Sequence, residues 1–175
     1  MSVVHRPAPV KLTERHVQSL VRTRQCVQRS HKIAVPNVMR GFGESDLVTV
    51  TRADYLHEFE IKLSRSDFRA DFRNKHHKHR LYSGELEAQA YQQRWIPNHF
   101  WFVAPKGMLQ ADEIPEYAGL IEIDDRLVVS DRIDAPRLHK RKVDDSELMR
   151  LYETCMHRFW KWAHEATSEQ ESSDG

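Results

Sequence analysis

The sequence predicts an α/β fold in which a mixed β-sheet is flanked by helices. Its predicted elements follow the order α-β-β-β-α-β-β-α over 175 residues. Continuous apolar runs, such as residues 100–104, are typical of strands in the middle of a sheet covered by helices. Apolar residues spaced i, i+3, i+4 and i+7 over residues 148–163 predict a final amphipathic helix. A chain of this length can bury one core, so we expect residues 13–166 to form a single domain.

The first two elements are a helix near residues 13–30 and a short strand over residues 33–36. Thr13 is a suitable N-cap for the helix. One apolar stripe follows it, formed by Val17, Leu20 and Val21. Pro36 limits the strand or places it at a sheet edge. Residues 1–12, before the helix, contain prolines and are expected to form a flexible arm.

A pair of strands joined by a short turn is predicted over residues 46–62. The first strand opens on Asp46, and the second ends in Glu60-Ile61-Lys62. Residues i and i+2 of a strand point to the same face, so Glu60 and Lys62 project together. If the strands pair as a hairpin, Asp46 lies opposite the end of the second strand. Two carboxylates and an ammonium group then converge.

This arrangement suits a divalent metal ion that acts on a phosphodiester. Mg²⁺ takes oxygen ligands and keeps several waters, so Asp46 and Glu60 would suffice as anchors, with the backbone carbonyl of Ile61 as a third ligand. A bound metal acidifies water and polarises a phosphoryl oxygen. Lys62 would orient that water or stabilise the transition state as a fixed cation.

The alternative interpretation is an exposed strand face that carries an ordinary cross-strand Glu–Lys pair. Short motifs produce many false positives, and an isolated Glu-x-Lys is weak. The context favours the metal site, because a glycine-bearing loop leads to Asp46 and a basic helix follows Lys62.

That basic helix is predicted over residues 64–80, capped by Ser64 or Ser66. Its cations would contact a nucleic-acid backbone, because phosphate neutralisation dominates nucleic-acid affinity. They are Arg65, Arg69, Arg73, Lys75, Lys78 and Arg80. The alternative is a solvated face whose cations complement the helix dipole. The interspersed histidines scatter round the helix, which argues against a metal site there.

The second half of the chain is less clear at residues 83–98, which fit a helical insertion or a loop. Further strands are predicted at residues 100–104, 119–124 and 127–129. The final helix begins at Asp144 or Asp145. Residues 167–175 are polar and acidic, and we expect a disordered tail.

The four tryptophans could stack on bases if they are exposed. Three lie in apolar surroundings, so the core is their expected place: Trp95, Trp101 and Trp160. Trp162 departs from the apolar stripe of the final helix and is expected to be exposed.

The composition indicates a soluble protein and no membrane partner. No apolar run approaches the roughly 18 residues of a membrane span, and no secretion signal is evident at the N-terminus. Cys26 and Cys155 lie far apart in sequence, which suits a reducing cytoplasm better than a disulfide framework. Residues 1–80 carry 16 basic and 8 acidic residues, which hints at a surface that faces a polyanion.

The spacing of Asp46, Glu60 and Lys62 resembles the active-site core of the PD-(D/E)XK nuclease superfamily. Residues 60–73, EIKLSRSDFRADFR, are similar to a small bacterial and phage group within it that includes DNA-repair proteins. Two later segments, 100–107 and 114–121, are similar to strands of that group. The likeness covers about residues 10–130.

This resemblance implies a restriction-endonuclease-like core of α-β-β-β-α-β order, a Mg²⁺ or Mn²⁺ cofactor, and DNA as the substrate. It also implies an acid on the first helix, for which Glu14 is the candidate because it is the only acid in the first 40 residues. A first-turn glutamate that complements the helix dipole is the equal alternative. Ser45 stands where the superfamily's name has proline, a position that is widely replaced.

The sequence therefore predicts a metal-dependent deoxyribonuclease of DNA repair, recombination or phage DNA processing. The alternative from another class is a non-catalytic DNA-binding or protein-interaction module on the same fold. A third expectation is a homodimer joined through the aromatic final helix.

Overall fold

The computed structural model describes residues 11–173, with side chains for residues 11–165. The α-helices are α1 (Glu14–Arg22), α2 (Arg65–Asn74), α3 (His76–Tyr82) and α4 (Asp145–Ser173). The strands are β1 (Ile33–Arg40), β2 (Gly43–Val50), β3 (Leu56–Ile61), β4 (His99–Pro105), β5 (Ala118–Ile123) and β6 (Val129–Ile133). A π-helical segment, Thr23–Gln28, extends α1. The observed order departs from the predicted one at two points. Two helices, α2 and α3, stand where one is predicted, and three strands follow them where the predicted order has two.

The six strands form one mixed sheet in the order β1-β2-β3-β4-β5-β6. The first three are antiparallel neighbours, β3, β4 and β5 are parallel, and β6 returns antiparallel to β5. The parallel connection from β3 to β4 carries α2 and α3, because parallel strands require a crossover segment. The predicted α/β class and mixed sheet are confirmed.

Both faces of the sheet are covered, so the middle strand β3 is buried on each side. On one face, Phe59 and Ile61 of β3 pack against α1. On the other face, α2 and α3 cover Phe100 and Phe102 of β4. The start of α4 covers β1 and β2 through Leu151.

The strand boundaries at the hairpin differ from the predicted ones. β1 passes through Pro36 and continues to Arg40. It is an edge strand, where a missing proline N–H need not interrupt the ladder. β2 begins at Gly43, so Asp46 lies inside the strand rather than opening it.

The predicted single helix over residues 64–80 is divided in two. Ser64 caps α2 as predicted, since its hydroxyl accepts a hydrogen bond of 3.1 Å from the Asp67 N–H. At Lys75 the backbone leaves the helical region, with φ −116° and ψ 30°, and α3 begins at the next residue. Residues 83–98 are a loop that contains one 3₁₀ turn, Gln93–Trp95.

The final helix begins where the sequence predicts. The Asp144 carboxylate accepts from the Glu147 N–H at 2.9 Å, and the Glu147 carboxylate accepts from the Asp144 N–H at 3.0 Å. This reciprocal pair is a capping box. The helical backbone continues to Ser173, which corrects the disordered tail expected from residue 167. Once a helix is nucleated, each further residue adds a hydrogen bond and changes the free energy of the helix little.

The remaining residues of that tail, 174 and 175, and residues 1–10 of the predicted arm lie outside the described residues. Within the described chain, no helix is both long enough and apolar enough to cross a bilayer.

Among residues 145–165, the apolar side chains of α4 that pack on the sheet lie in its first turns. Leu151 is buried, but the large apolar side chains further along are exposed. They form the aromatic face of α4: Tyr152, Met156, Phe159, Trp160 and Trp162. Trp160 is 64% exposed and Trp162 61%, so the expected core position of Trp160 is wrong. Trp101 is buried, as predicted.

Candidate functional site

The predicted carboxylates lie where β2 and β3 separate. The last paired residues are Leu47 and Phe59, and continuing that register would place Asp46 opposite Glu60. The Asp46 carboxylate accepts a hydrogen bond of 2.6 Å from the Ile61 N–H. Asp46 is thereby held against the segment that carries Glu60 and Lys62.

Glu60 is 0% exposed and is surrounded by ammonium groups. The Lys75 Nζ lies 2.8 Å from Oε1 and 2.7 Å from Oε2. Lys62 contacts Oε2 at 3.3 Å, and Lys78 contacts Oε1. A buried carboxylate is stable only when it is paired, and here three lysines pair with it.

These residues belong to a larger group that we term the lysine–carboxylate cluster. It contains three carboxylates and three ammonium groups: Glu58, Glu60, Asp71, Lys62, Lys75 and Lys78. The balance of formal charges explains how an ionic group can lie beneath the crossover helices. Glu60 and Lys62 are both buried, so the alternative interpretation, an exposed strand face with an ordinary Glu–Lys pair, is wrong about exposure.

Lys62 is oriented by a chain of buried polar groups. Its ammonium donates to the Asp71 carboxylate at 2.7 Å. The other oxygen of Asp71 lies 2.7 Å from the His79 Nε2, and the His79 Nδ1 lies 2.8 Å from the Tyr117 hydroxyl. Burial opposes ionisation of Asp71, but the bonds from His79 and Lys62 hold its pKa well below the ordinary value.

Lys78 has a structural position at the other end of the cluster. Its side chain is 3% exposed and pairs with both Glu58 and Glu60, while the Tyr82 hydroxyl donates to Glu58 at 2.9 Å. Burial raises the pKa of Glu58, but the Lys78 ammonium outweighs that effect, and the pKa lies below its ordinary value. This burial contradicts the predicted contact of Lys78 with a nucleic-acid backbone.

Asp46 differs from the other carboxylates because no lysine is bonded to it in the described chain. Burial and the nearby charge of Glu60 raise its pKa to about 7, against the opposing hydrogen bond from the Ile61 N–H. A carboxyl group in this state would ionise fully if a cation were bound beside it.

Glu14 reaches the site through two intermediates that the sequence did not single out, Gln18 and Asn37. The Glu14 carboxylate accepts from the Gln18 amide at 3.1 Å and from the Asn37 amide at 3.1 Å. Gln18 also donates to the Asp46 carbonyl at 2.8 Å. Glu14 is thus linked to the Asp46 backbone but bonded to neither Asp46 nor Glu60 side chains.

Asn37 has a backbone reason for its position. It adopts φ 50°, a left-handed conformation that asparagine tolerates better than most residues. The β1–β2 ladder is paired on either side of it, at Pro36 and at Val38. The irregularity turns the Asn37 side chain toward Glu14 and Glu44. A left-handed residue inside a strand leaves no clear sequence signal.

The donor set fits a hard divalent cation, since Asp46, Glu60 and the Ile61 carbonyl supply only oxygen. Strand residues direct N–H and C=O to the same side, and the Ile61 N–H faces Asp46. However, both Glu60 oxygens are bonded to ammonium groups. No group of three or more His, Cys, Asp or Glu side chains among the described residues is arranged to hold a metal as they stand.

The predicted row of arginines lies on the solvent side of α2. Asp71 faces the sheet, whereas Arg69 and Arg73 are each two residues away and hence about 200° round the helix. Both are exposed, and in residues 11–165 neither has a hydrogen bond or ion pair. Arg65 instead donates to the Met108 carbonyl at 2.7 Å and pairs with Glu113.

Two further predicted cations have protein partners. Arg80 is exposed and pairs with Glu85 at 3.3 Å. Lys75 is bonded to Glu60, as described above. Arg69 and Arg73 are therefore the members of the predicted row best placed to meet phosphate.

A second group of titratable side chains, the histidine cluster, contains the buried His31 and the half-buried His57 and His99. The rings of His57 and His99 stack with centroids 4.5 Å apart, and His31 meets His57 edge-on at 4.9 Å. The Trp101 indole donates to the His57 Nδ1 at 3.1 Å. Burial, and then the positive charge of neighbouring groups, lowers the pKa of His31 to about 4 and depresses that of His57 further.

Comparisons with known proteins bear on the fold alone. No family model matches the chain, and no curated protein matches it. The chain is similar in structure to the SPO1766 protein of unknown function from Silicibacter pomeroyi, with a TM-score of 0.60 and 15% sequence identity. The match covers 91% of this chain and 96% of that one.

Proposed function

We propose that this protein is a metal-dependent deoxyribonuclease. The observation that carries the proposal is the convergence of Asp46 with Glu60 and Lys62 at the separating ends of β2 and β3. The Ile61 N–H donates to the Asp46 carboxylate at 2.6 Å, and this bond holds Asp46 beside the segment that carries Glu60. Two carboxylates can anchor the metal ion for phosphodiester hydrolysis, and a lysine can stabilise the charge that develops in the transition state.

Each residue of the site would have a separate role in the reaction. Asp46, Glu60 and the Ile61 carbonyl would hold Mg²⁺ or Mn²⁺. When bound, the metal supplies an acidified water and a polarised phosphoryl oxygen. Lys62, held by Asp71 at 2.7 Å, would orient the attacking water and stabilise the negative charge on the phosphoryl oxygens in the transition state. Lys62 can serve as a fixed cation, because Glu60 and Asp71 raise its pKa against the effect of burial.

Glu14 would help indirectly. Its bonds to Gln18 and Asn37 fix the backbone beside Asp46, so it would position the first metal-binding carboxylate. A direct role as a ligand would require it to leave these partners.

DNA would be bound by the exposed cations of the basic N-terminal half. Arg69 and Arg73 are free to neutralise phosphates, and Arg65 and Arg80 would have to exchange their present carboxylate partners. The basic character of residues 1–80 supports a polyanionic substrate.

A restriction-endonuclease-like core also belongs to this proposal. Support comes from the connectivity, in which α1 precedes three antiparallel strands and a helical crossover leads to the parallel strand β4. The resemblance of residues 46–73 to DNA-repair nucleases points to repair, recombination or phage DNA processing in the cytoplasm.

The test is to incubate the purified protein with linear, circular and single-stranded DNA in Mg²⁺ or Mn²⁺. We expect cleavage that needs the metal and falls at least 100-fold in Asp46→Asn and Lys62→Met, since each removes a group placed at the reacting centre. Asp46→Asn keeps an oxygen that can accept from the Ile61 N–H. Lys106→Met, an exposed lysine outside the site, is the matched control.

The alternative function is a non-catalytic DNA-binding or protein-interaction module. The observation that favours it is the occupation of both Glu60 oxygens by lysines. DNA binding that is independent of metal and unchanged in Asp46→Asn, with no cleavage of any substrate, would replace the nuclease proposal by this one.

A further inference from the structure

The Lys75 ammonium sits in a setting that resembles a small cation site. Four oxygens surround it. Two belong to Glu60, at 2.8 and 2.7 Å, one is the Glu44 carbonyl at 3.1 Å, and one is the Asp71 Oδ1 at 3.5 Å. Carboxylate and carbonyl oxygens are also the ligands that Mg²⁺ and Mn²⁺ select.

Lys75 is the member of the cluster best able to leave. Its side chain is 22% exposed, whereas those of Lys62 and Lys78 are 6% and 3% exposed. It also projects from the single non-helical residue between α2 and α3. The stem of a lysine has rotatable bonds that can carry its charge outward.

The departure of Lys75 would not expose the other cations of the cluster. Lys62 keeps Asp71, and Lys78 keeps Glu58. Glu60 would lose the partner that is bonded to both of its oxygens and would keep Lys62 and Lys78, whereas Asp71 would lose only a contact of 3.5 Å. Continuing the β2–β3 register places Glu60 beside Asp46.

We propose that Lys75 is a built-in counterion that competes with the divalent cation for the Glu60 carboxylate. This inference rests on the metal site of the proposed function. Binding of the cation displaces the Lys75 ammonium from Glu60 toward solvent. Divalent-cation affinity is lower than that of a site with free carboxylates, because the ligand set is available only for the fraction of time that Lys75 is away.

Direct binding tests the competition. We expect Lys75→Met to bind Mn²⁺ about tenfold to a hundredfold more tightly than the native protein, the range given by one charge-assisted hydrogen bond. Free Mn²⁺ is followed by electron paramagnetic resonance, with no DNA present. Lys106→Met should bind as the native protein does, and Asp46→Asn in the Lys75→Met background should lose the gain.

A measurement on the native chain separates displacement from a simple change of charge and does not depend on the variant folding. Reductive methylation labels accessible lysine amines, and mass spectrometry reports each site. We expect Mg²⁺ to raise the labelling rate of Lys75 several-fold and to leave that of Lys106 unchanged.

The outcomes are distinct. Equal Mn²⁺ affinity of Lys75→Met and the native protein, no binding by either, or Lys75 labelling that ignores Mg²⁺ would overturn the inference. Tighter binding and faster labelling without DNA cleavage would support the counterion and reject the nuclease. DNA cleavage together with Mn²⁺ binding that does not depend on Lys75 would support the nuclease and reject the counterion.

Discussion

The lysine–carboxylate cluster and the histidine cluster both place titratable groups away from solvent beside β3, but the groups of the first are ionised and those of the second are neutral. Glu58 and Glu60 face α3, which supplies an ammonium for them. His57 faces the other way, where its ring contacts other rings and its Nδ1 accepts a hydrogen bond from the Trp101 indole. Burial and the neighbouring positive groups lower the pKa of His57, so it stays neutral. A buried group in this protein keeps its charge only where a counter-charge is within bonding distance.

The largest effect is expected from breaking the charged cluster. Lys78→Met removes the cation shared by Glu58 and Glu60, and leaves Glu58 without an ion pair to any residue that the structure describes. We expect a loss of about 3–5 kcal/mol in the free energy of unfolding, the usual result of removing one partner of a buried pair. Urea denaturation at pH 7 measures it, with Lys106→Met as the control. A loss below about 1 kcal/mol would show that the cluster does not depend on its charge balance.

Acidification should break the histidine cluster. The folded state favours neutral imidazoles, with the pKa of His31 lowered from 6.5 to about 4, so unfolding takes up protons below pH 6.5. The free energy of unfolding should therefore fall as the pH drops from 6.5 to 4, by up to about 1.4 kcal/mol per pH unit for each histidine. Urea denaturation between pH 7 and 4.5 gives the slope.

Three variants make that slope interpretable. It is best measured in Asp46→Asn, because Asp46 titrates in the same range with the opposite sign. His31→Gln should reduce the slope, and His77→Gln, an exposed histidine, should not. An equal slope in His31→Gln would remove His31 from the explanation.

Asp46 sharpens the comparison, because it is a site carboxylate that lacks a lysine partner. Its pKa is raised to about 7, so ionisation disfavours the folded state as the pH rises from 4 to 7. Asp46→Asn should stabilise the metal-free protein by on the order of 1–2 kcal/mol at pH 8, with little gain at pH 4. Urea denaturation in chelator checks it, and a gain independent of pH would contradict the assigned cause.

The smallest effect on stability is expected at the aromatic face of α4, which belongs to neither cluster. Phe159 and Trp160 are exposed, so Phe159→Ser with Trp160→Ser should change the free energy of unfolding by less than about 0.5 kcal/mol. If this face joins two copies, the same change should convert a dimer into a monomer. Light scattering of the full chain decides it, and an unchanged mass would reject a homodimer joined through this face.

The local pattern of the sequence was sufficient for several elements. Ser64 and Asp144 cap helices as their residue types predict, and period-two reasoning placed Glu60 and Lys62 on one face. The local pattern did not predict burial where contacts between distant parts of the chain determine it. Lys78 belongs to a run of basic residues that is typical of a solvated helix, and its burial depends on Glu58, twenty positions earlier in the chain.

Two other misses have similar causes. Asn37 enters the site through a left-handed backbone conformation, which no neighbouring residue in the sequence announces. The apolar spacing of α4 indicates which side of the helix is apolar, but it does not indicate where the supporting sheet ends. Trp160 lies beyond that point and is exposed.

The lysine–carboxylate cluster is assembled entirely from residues 58–82, one continuous segment that runs from β3 through α3. Contacts within one segment of the chain close smaller loops than contacts between distant segments, which lowers the entropic cost of forming them. The segment should therefore form early and open as one cooperative unit, whose amide hydrogens exchange together and later than those of β6. The residues that prepare the site would then also serve as a nucleus for folding the chain.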